Sequence, residues 1–224
     1  MKKIIIAIDS FKDCLTSAEA GKAAEKGIKS INPFCHTSVI PIADGGEGLL
    51  DVLITATKGK YITLSAHGPL MKMAKTHYGL SGNGRTAIIE MAAISGLPLV
   101  PIEQRNPMLT TTFGTGELIK DALNKGCRNF IIGIGGSATN DAGLGMLQAL
   151  GFRFLDKSGH TLGTGGQIME AVANIDTSGI HPALRETHFM VACDEANPFS
   201  GPDGAAYIFA HQKGAESNMV QRLD

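Results

Sequence analysis

Ile131-Ile-Gly-Ile-Gly-Gly-Ser-Ala-Thr-Asn-Asp141-Ala-Gly-Leu-Gly145 is an apolar run that opens into glycines and then into polar residues heading a helix. That is the local pattern of a strand–loop–helix junction in an α/β protein. Glycines let the backbone approach a ligand closely, and the open N–H groups and positive dipole end of a following helix favour phosphate or carboxylate. The stretch therefore predicts an anion-holding junction, fed by a strand over Asn129–Ile134 and continued by a helix from about Asn140 to Leu150 that stops at Gly151.

Upstream, residues 2–8 are a continuous isoleucine-rich run, which predicts a strand buried on both faces, as in a parallel sheet. Asp9-Ser10-Phe11-Lys12 stand at its carboxyl end, and Thr16-x-x-Glu19 forms a capping box before an alanine-rich helix to about Ser30. Ser38–Ile42 predicts a second strand, Ala43-Asp-Gly-Gly-Glu-Gly48 a loop, and Leu49 to about Thr57 a helix. This βαβα order is that of a doubly wound, Rossmann-like parallel-sheet domain. After Gly59 the texture changes, with strands over Lys60–Ala66, Ala74–Leu80 and Arg85–Met91 separated by glycine-containing turns, which predicts a second α/β region. Thr110-Thr-Thr-Phe-Gly-Thr-Gly-Glu117 leads a helix to about Lys125, stopped by Gly126. His188–Ala192 is another strand, ending in Cys193-Asp194 and Asn197, and a polar helix begins after Gly214.

The 224 residues suit one large domain or two small ones. The 28 glycines lie well above the ordinary ~7%, so many loop positions need backbone freedom. A net charge of −1 without a basic run gives no reason to expect nucleic acid, and a small-molecule ligand is expected instead. Cys14, Cys35, Cys127 and Cys193 are scattered without Cys-x-x-Cys, which argues against a zinc knuckle or a redox pair. Asp9 cuts the first apolar run short of a signal peptide and no stretch is long enough to span a membrane, so a cytoplasmic protein is the expectation.

Gly133-Ile-Gly-Gly-Ser-Ala138 matches a G-x-G-x-x-A dinucleotide fingerprint, with Asp156 as the ribose acid, and so raises a nucleotide-dependent oxidoreductase as one reading. The helix that follows is short for that role, and Asp141 would lie where a pyrophosphate must go. No P-loop or protein-kinase signature occurs. Polar clusters instead recur at expected strand ends: Asp9/Ser10/Lys12, Asp44/Glu47, Thr112/Thr115/Glu117, Ser137/Thr139/Asn140/Asp141 and Asp194/Asn197. Carboxylates able to hold Mg²⁺ or take a hydroxyl proton, a lysine point charge and glycine-rich backbone donors are the parts of phosphoryl transfer. Each also has a structural reading, since Asp9, Asp44, Asn140 and Asp141 can cap helices and Glu117 can offset a helix dipole.

Read in order, Asp9-Ser-Phe-Lys12 with Leu15-Thr16, Pro41-Ile-Ala-Asp-Gly-Gly-Glu-Gly48, Gly68-Pro-Leu70, Thr111–Glu117, Ile131–Gly145, Cys193-Asp194 with Asn197-Pro198, and Gln212-Lys-Gly-Ala215 resemble the bacterial glycerate kinase family. The resemblance implies ATP-dependent phosphorylation of D-glycerate to 2-phosphoglycerate with Mg²⁺, in a cleft between a doubly wound domain and an inserted α/β domain. Residues 1–64 would begin the first and 65–224 form the second. It places Met71 where many relatives carry glycine, and Phe209-Ala-His-Gln where they carry Phe-Gly-Pro-Gln. Family members are also longer, their C-terminal part completing the first sheet, which leaves a catalytically incompetent fragment as a further reading.

The resemblance implies that Gly135, Gly136, Ser137 and Thr139 cradle an anionic group, with Asp9, Ser10, Gly45, Gly46, Thr115 and Asn140 completing the substrate- or nucleotide-binding set. Lys12 would steady the transferring phosphoryl group and Asp44 with Glu47 would hold Mg²⁺. Asp194 is the expected base for the glycerate hydroxyl, with Asp141 the alternate.

Overall fold

The capping box forms as its residues require. In the computed structural model, which describes residues 3–11 and 14–224, the Glu19 carboxylate accepts from the Thr16 amide at 2.9 Å and the Thr16 hydroxyl accepts from the Glu19 amide. Helix α1 (Ser17–Ile31) follows strand β1 (Lys3–Ile6) and leads to β2 (His36–Val39), which lies parallel to β1. Strand β2 thus sits earlier than Ser38–Ile42. Ser17, buried at the head of α1, donates to the Ile8 carbonyl at 2.6 Å and accepts from the Ile42 amide at 3.0 Å. One hydroxyl therefore ties the segment after β1 to the segment after β2, where two of the polar clusters stand.

Helix α2 (Leu49–Thr57) has the bounds read from the sequence and ends on left-handed Lys58. Strands β3 (Lys60–His67) and β4 (Met73–Leu80) make a full eight-residue antiparallel hairpin, and Met71, at φ 57° in its turn, occupies the conformation a glycine takes without strain. Strand β5 (Thr86–Glu90) is followed by the single turn α3 (Ala92–Ser95), then by α4 (Phe113–Asn124) and β6 (Asn129–Gly133). Next come α5 (Leu144–Ala149), the short antiparallel pair β7 (Arg153–Leu155) and β8 (Asn174–Asp176), and β9 (His188–Ala192). Helices α6 (Ala205–Phe209) and α7 (Ser217–Leu223) close the described chain.

The main sheet is mixed and ordered β3-β4-β5-β6-β9, antiparallel through β5 and parallel from β5 to β9. Ala87 and Ile89 of β5 face a core with Tyr78, Leu118, Ile119, Phe130 and Ile132, while Ile88 faces Leu50 and Ile54 of α2. The sheet is thus covered by α4 on one side and α2 on the other, an α/β layering. Alternate residues of one strand supply both cores because strand side chains alternate in direction. Among the described residues no helix is long and apolar enough to cross a membrane.

Two further expectations are corrected. Strand β1 is not buried on both faces: among the described residues it pairs only with β2, and it buries Ile6 at 5%, whereas Ile5 is 60% exposed. Helix α5 begins at Leu144 rather than Asn140, because Ala142 (φ 50°) and Gly143 (φ 73°) hold left-handed backbone that no right-handed helix can contain.

Candidate active site

The loop after β2 meets the ends of β6 and β9 backbone to backbone. Gly45 sits at φ 98°, and a Cβ there would lie 2.6 Å from the Ala192 carbonyl oxygen; a Cβ on Gly135 would lie 2.7 Å from the Gly46 Cα. The absent side chains therefore let the Asp44–Gly48 loop wedge between the Gly133–Gly136 loop and the start of the Cys193–Asp194 loop. The Gly135 amide reaches the Gly45 carbonyl at 3.5 Å and the Asp44 carboxylate accepts from the Gly46 amide at 2.9 Å, fixing the wedge internally.

Beside this junction lies a cleft of about 650 Å³ between the β1–β2 pair and the main sheet, lined among others by Asp9, Ser10, Glu47, Asp51, Glu90 and Gly136. Asp9 is held by the Ser10 amide at 2.6 Å. Four of the expected residues, Asp9, Ser10, Glu47 and Gly136, thus share one cavity, although they come from three separate stretches. Asp194 is exposed and follows directly on Ala192–Cys193, against which Gly45 packs. Lys12 lies outside the described residues.

Others stand elsewhere. Thr115 is fully buried, its hydroxyl 2.9 Å from that of Ser95, and does not line the cleft. Thr139 is buried, and Asn140 follows it away from the cleft lining. Asp141 is only 1% exposed, and its carboxylate accepts from the Thr112 amide (2.8 Å), the Thr111 and Thr112 hydroxyls, and the Gly143 and Gly145 amides. The next amide, of Met146, donates to the Thr112 hydroxyl at 2.9 Å. The anion seat expected at the head of α5 is therefore filled by the chain's own carboxylate and hydroxyl. This corrects the reading of an open helix terminus, because the amides of Gly143, Leu144, Gly145 and Met146, which would attract a ligand phosphate there, already have protein partners.

Two functional candidates escaped the sequence reading. Glu90 ends β5 inside the cleft and accepts from the Leu50 amide at 3.3 Å, substituting for the side-chain cap that Gly48 cannot supply to α2. Burial raises its pKa, the Leu50 and Gly48 amides oppose that, and the charges of Asp51 and Glu47 add to it. Its signal was available, since it is an acid at the carboxyl end of an apolar strand like the other clusters. Lys213 is buried, and its ammonium donates to the Ser137 hydroxyl at 2.8 Å and the Thr139 carbonyl at 2.6 Å. Burial pushes its pKa down to about 8, against the opposing field of Asp141. It stands in Gln212-Lys-Gly-Ala215, a stretch that carried the family resemblance without a role attached.

Among the described residues no three His, Cys, Asp or Glu side chains converge as a metal cage. Exposed Asp44 and Glu47 suit instead the way Mg²⁺ is usually held, by one or two carboxylates with water and substrate phosphate oxygens completing the shell.

Comparison with known proteins places this arrangement. The description of the glycerate kinase family matches residues 4–224. The chain is 52% identical over 222 residues to glycerate kinase of Bacillus subtilis (strain 168), covering 99% of this chain and 58% of that protein. It is 49% identical to glycerate 2-kinase of Escherichia coli (strain K12), again over 99% of this chain and 58% of the relative. The crystal structure of a proposed glycerate kinase 2 from Salmonella typhimurium LT2 superposes with a TM-score of 0.89 at 48% identity, covering 100% of this chain and 60% of that one. The chain thus spans about three-fifths of the length of these relatives. Because the match runs through nearly the whole chain, including all three loops that meet at the junction, the chain belongs to the glycerate kinase family.

Proposed function

We propose that this chain carries the phosphoryl-transfer cleft of a glycerate kinase, which phosphorylates D-glycerate on its 2-hydroxyl at the expense of ATP, giving 2-phosphoglycerate and ADP. The observation that carries the reading is the backbone junction of the Asp44–Gly48, Gly133–Gly136 and Ala192–Asp194 loops beside a cleft with acidic walls, in a chain whose relatives bear kinase names. In the reaction the 2-hydroxyl oxygen bonds to the γ-phosphorus as the bond to the β–γ bridging oxygen breaks, and the hydroxyl proton passes to a carboxylate.

Asp194 suits that base better than Asp141, since it is exposed at the junction while the carboxylate of Asp141 is already surrounded by donors. Gly136 and its neighbours Gly135 and Ser137 present the backbone that would contact substrate or nucleotide. Asp9 and Ser10 form the facing wall, and Lys12 keeps the role of steadying charge on the transferring group. Asp44 and Glu47 would hold Mg²⁺, which when bound neutralises phosphate charge. The division into residues 1–64 and 65–224 belongs to the same proposal. A cytoplasmic setting suits an ATP-dependent enzyme of a small organic acid.

The test is to incubate the purified chain with ATP, Mg²⁺ and D-glycerate and follow ADP and 2-phosphoglycerate by phosphorus NMR. Asp194→Asn is expected to lower turnover about 100-fold or more with folding intact. Product formation undiminished in that variant would remove Asp194 from the chemistry, and 3-phosphoglycerate as product would overturn the assigned position. The exposed apolar residues of β1 and β9 favour a second reading, in which turnover requires a further segment to cover them. Activity that appears only when a polypeptide matching the relatives' remaining length is supplied would select it.

A further inference from the structure

Lys213 is costly in a way that stability alone does not explain. Its side chain enters from a small C-terminal layer in which Met108, Ala206, Ala210, Ala215, Val220 and Leu223 pack together, and only 8% of the residue is exposed. Removing an ammonium from water costs several kcal/mol, and an apolar residue of similar length would avoid that cost. What the ammonium gains is two acceptors on a distant stretch, the Ser137 hydroxyl at 2.8 Å and the Thr139 carbonyl at 2.6 Å. Those two residues flank Ala138 in the segment immediately after Gly136, the glycine that lines the cleft.

The other anchors of that segment lie on different sides. The Leu97 amide donates to the Gly136 carbonyl at 2.9 Å and the Ala138 amide to the Ser95 carbonyl at 2.8 Å, so the turn after β5 and α3 holds the inner edge. The Thr110 hydroxyl holds the Ala138 carbonyl at 2.8 Å. Asp141 is fixed by the residues before α4, as described above. Only Lys213, among these anchors, links the loop to the C-terminal layer and holds a side chain of the loop, Ser137, as well as its backbone.

We propose that Lys213 is a positioning residue for the cleft, holding the Ser137 hydroxyl and the Thr139 carbonyl so that Gly136 and Ser137 keep the conformation in which they face a bound anion. The anion-facing part of this inference rests on the kinase reading; the restraint on the loop does not. It couples the packing of α6 and α7, far along the chain, to the shape of the glycine-rich wall.

The experiment compares the full 224-residue chain with Lys213→Met and, as a control on an exposed ion pair, Lys125→Met. Amide hydrogen exchange is read without ligand, and MgATP affinity and kinetics are read with it. In Lys213→Met the amides of residues 136–140 are expected to exchange about tenfold faster while those of β5 and α4 keep their protection, and the KM for MgATP is expected to rise about tenfold with kcat changed much less. Lys125→Met should alter neither. Equal acceleration everywhere, or unchanged exchange at 136–140, overturns the proposal. If Lys213→Met does not fold, Ser137→Ala removes one acceptor alone and should give a smaller acceleration confined to the same amides; its absence likewise refutes the restraint. A wild-type chain that binds no MgATP would count against the kinase reading, and the exchange measurement would still decide the role of Lys213.

Discussion

Strands β5 and β9 are short apolar runs in the same sheet, yet Ala87, Ile88 and Ile89 are fully buried while Phe189, Met190 and Val191 are 43%, 65% and 56% exposed. Strand β5 lies between β4 and β6 with α2 on one face and α4 on the other, whereas β9, among the described residues, is paired only with β6 at the sheet's edge. Strand β1 resembles β9, with Ile5 open on the face away from Ile6. An apolar strand sequence therefore states what a strand can bury, and the elements packed on it decide whether it does. The same contrast separates Asp141 from Asp194, one enclosed by donors and the other open at the junction.

The most severe way to test this contrast is to truncate one residue of each kind. Phe130→Ala, in the core beneath α4, should cost about 3–5 kcal/mol in urea unfolding, and Met190→Ala on the neighbouring strand at most about 1 kcal/mol. Similar losses would mean that β9 is covered in solution. The pair of aspartates gives the next largest effect. Asp141→Asn replaces a carboxylate that accepts five donors with a group that must present its own N–H groups to some of them, and should cost on the order of 3 kcal/mol. Asp194→Asn should change the unfolding free energy by less than about 0.5 kcal/mol. An unchanged midpoint in Asp141→Asn together with lost turnover would restore Asp141 as a candidate base.

Lys213 extends the comparison to a buried cation. Its folded pKa of about 8 lies below the ordinary 10.5, so between these values the unfolded chain holds a proton that the folded chain has released. Stability should then rise with pH from about 8 to about 10.5, by at most on the order of 3 kcal/mol, with the full cost of the buried charge present below pH 8. Neutral Lys213 still donates to Ser137 and Thr139, so the loop restraint weakens without vanishing. The measurement is the difference in unfolding free energy between wild type and Lys213→Met across that range; a flat difference would show that the amine is solvated. The smallest effect belongs to Met71, where relief of a left-handed backbone in Met71→Gly should raise stability by about 0.5–1 kcal/mol in spite of glycine's greater unfolded-state entropy. A loss would show that the turn is not strained.

Much of the architecture was legible because it depends on short stretches. The Thr16/Glu19 box, the bounds of α2, the β3–β4 hairpin and the stop at Gly126 follow from side-chain hydrogen bonds, hydrophobic period and left-handed glycine within a few residues of each element. Asp9, Ser10, Glu47 and Gly136 were legible for a related reason, standing at the carboxyl ends of strands that converge. The head of α5 misled because a glycine-rich run followed by Asn140-Asp141 reads alike whether it awaits a ligand or is closed by its own carboxylate. Glu90 was passed over although it shares the strand-end pattern, and nothing local marks Lys213 as a partner of residues 74 and 76 positions away.

Sequence alone thus determined the secondary elements, the α/β class, the family and the set of polar loops from which a cleft could be built. These are properties of neighbouring residues, and local stereochemistry and side-chain pattern suffice for them. Tertiary structure decided which of two aspartates stays available, which strands are covered, and that the glycines of two loops serve backbone contact with each other and with the start of a third. Burial and hydrogen-bond satisfaction are sums over neighbours drawn from the whole chain, and those neighbours are chosen only when distant segments pack.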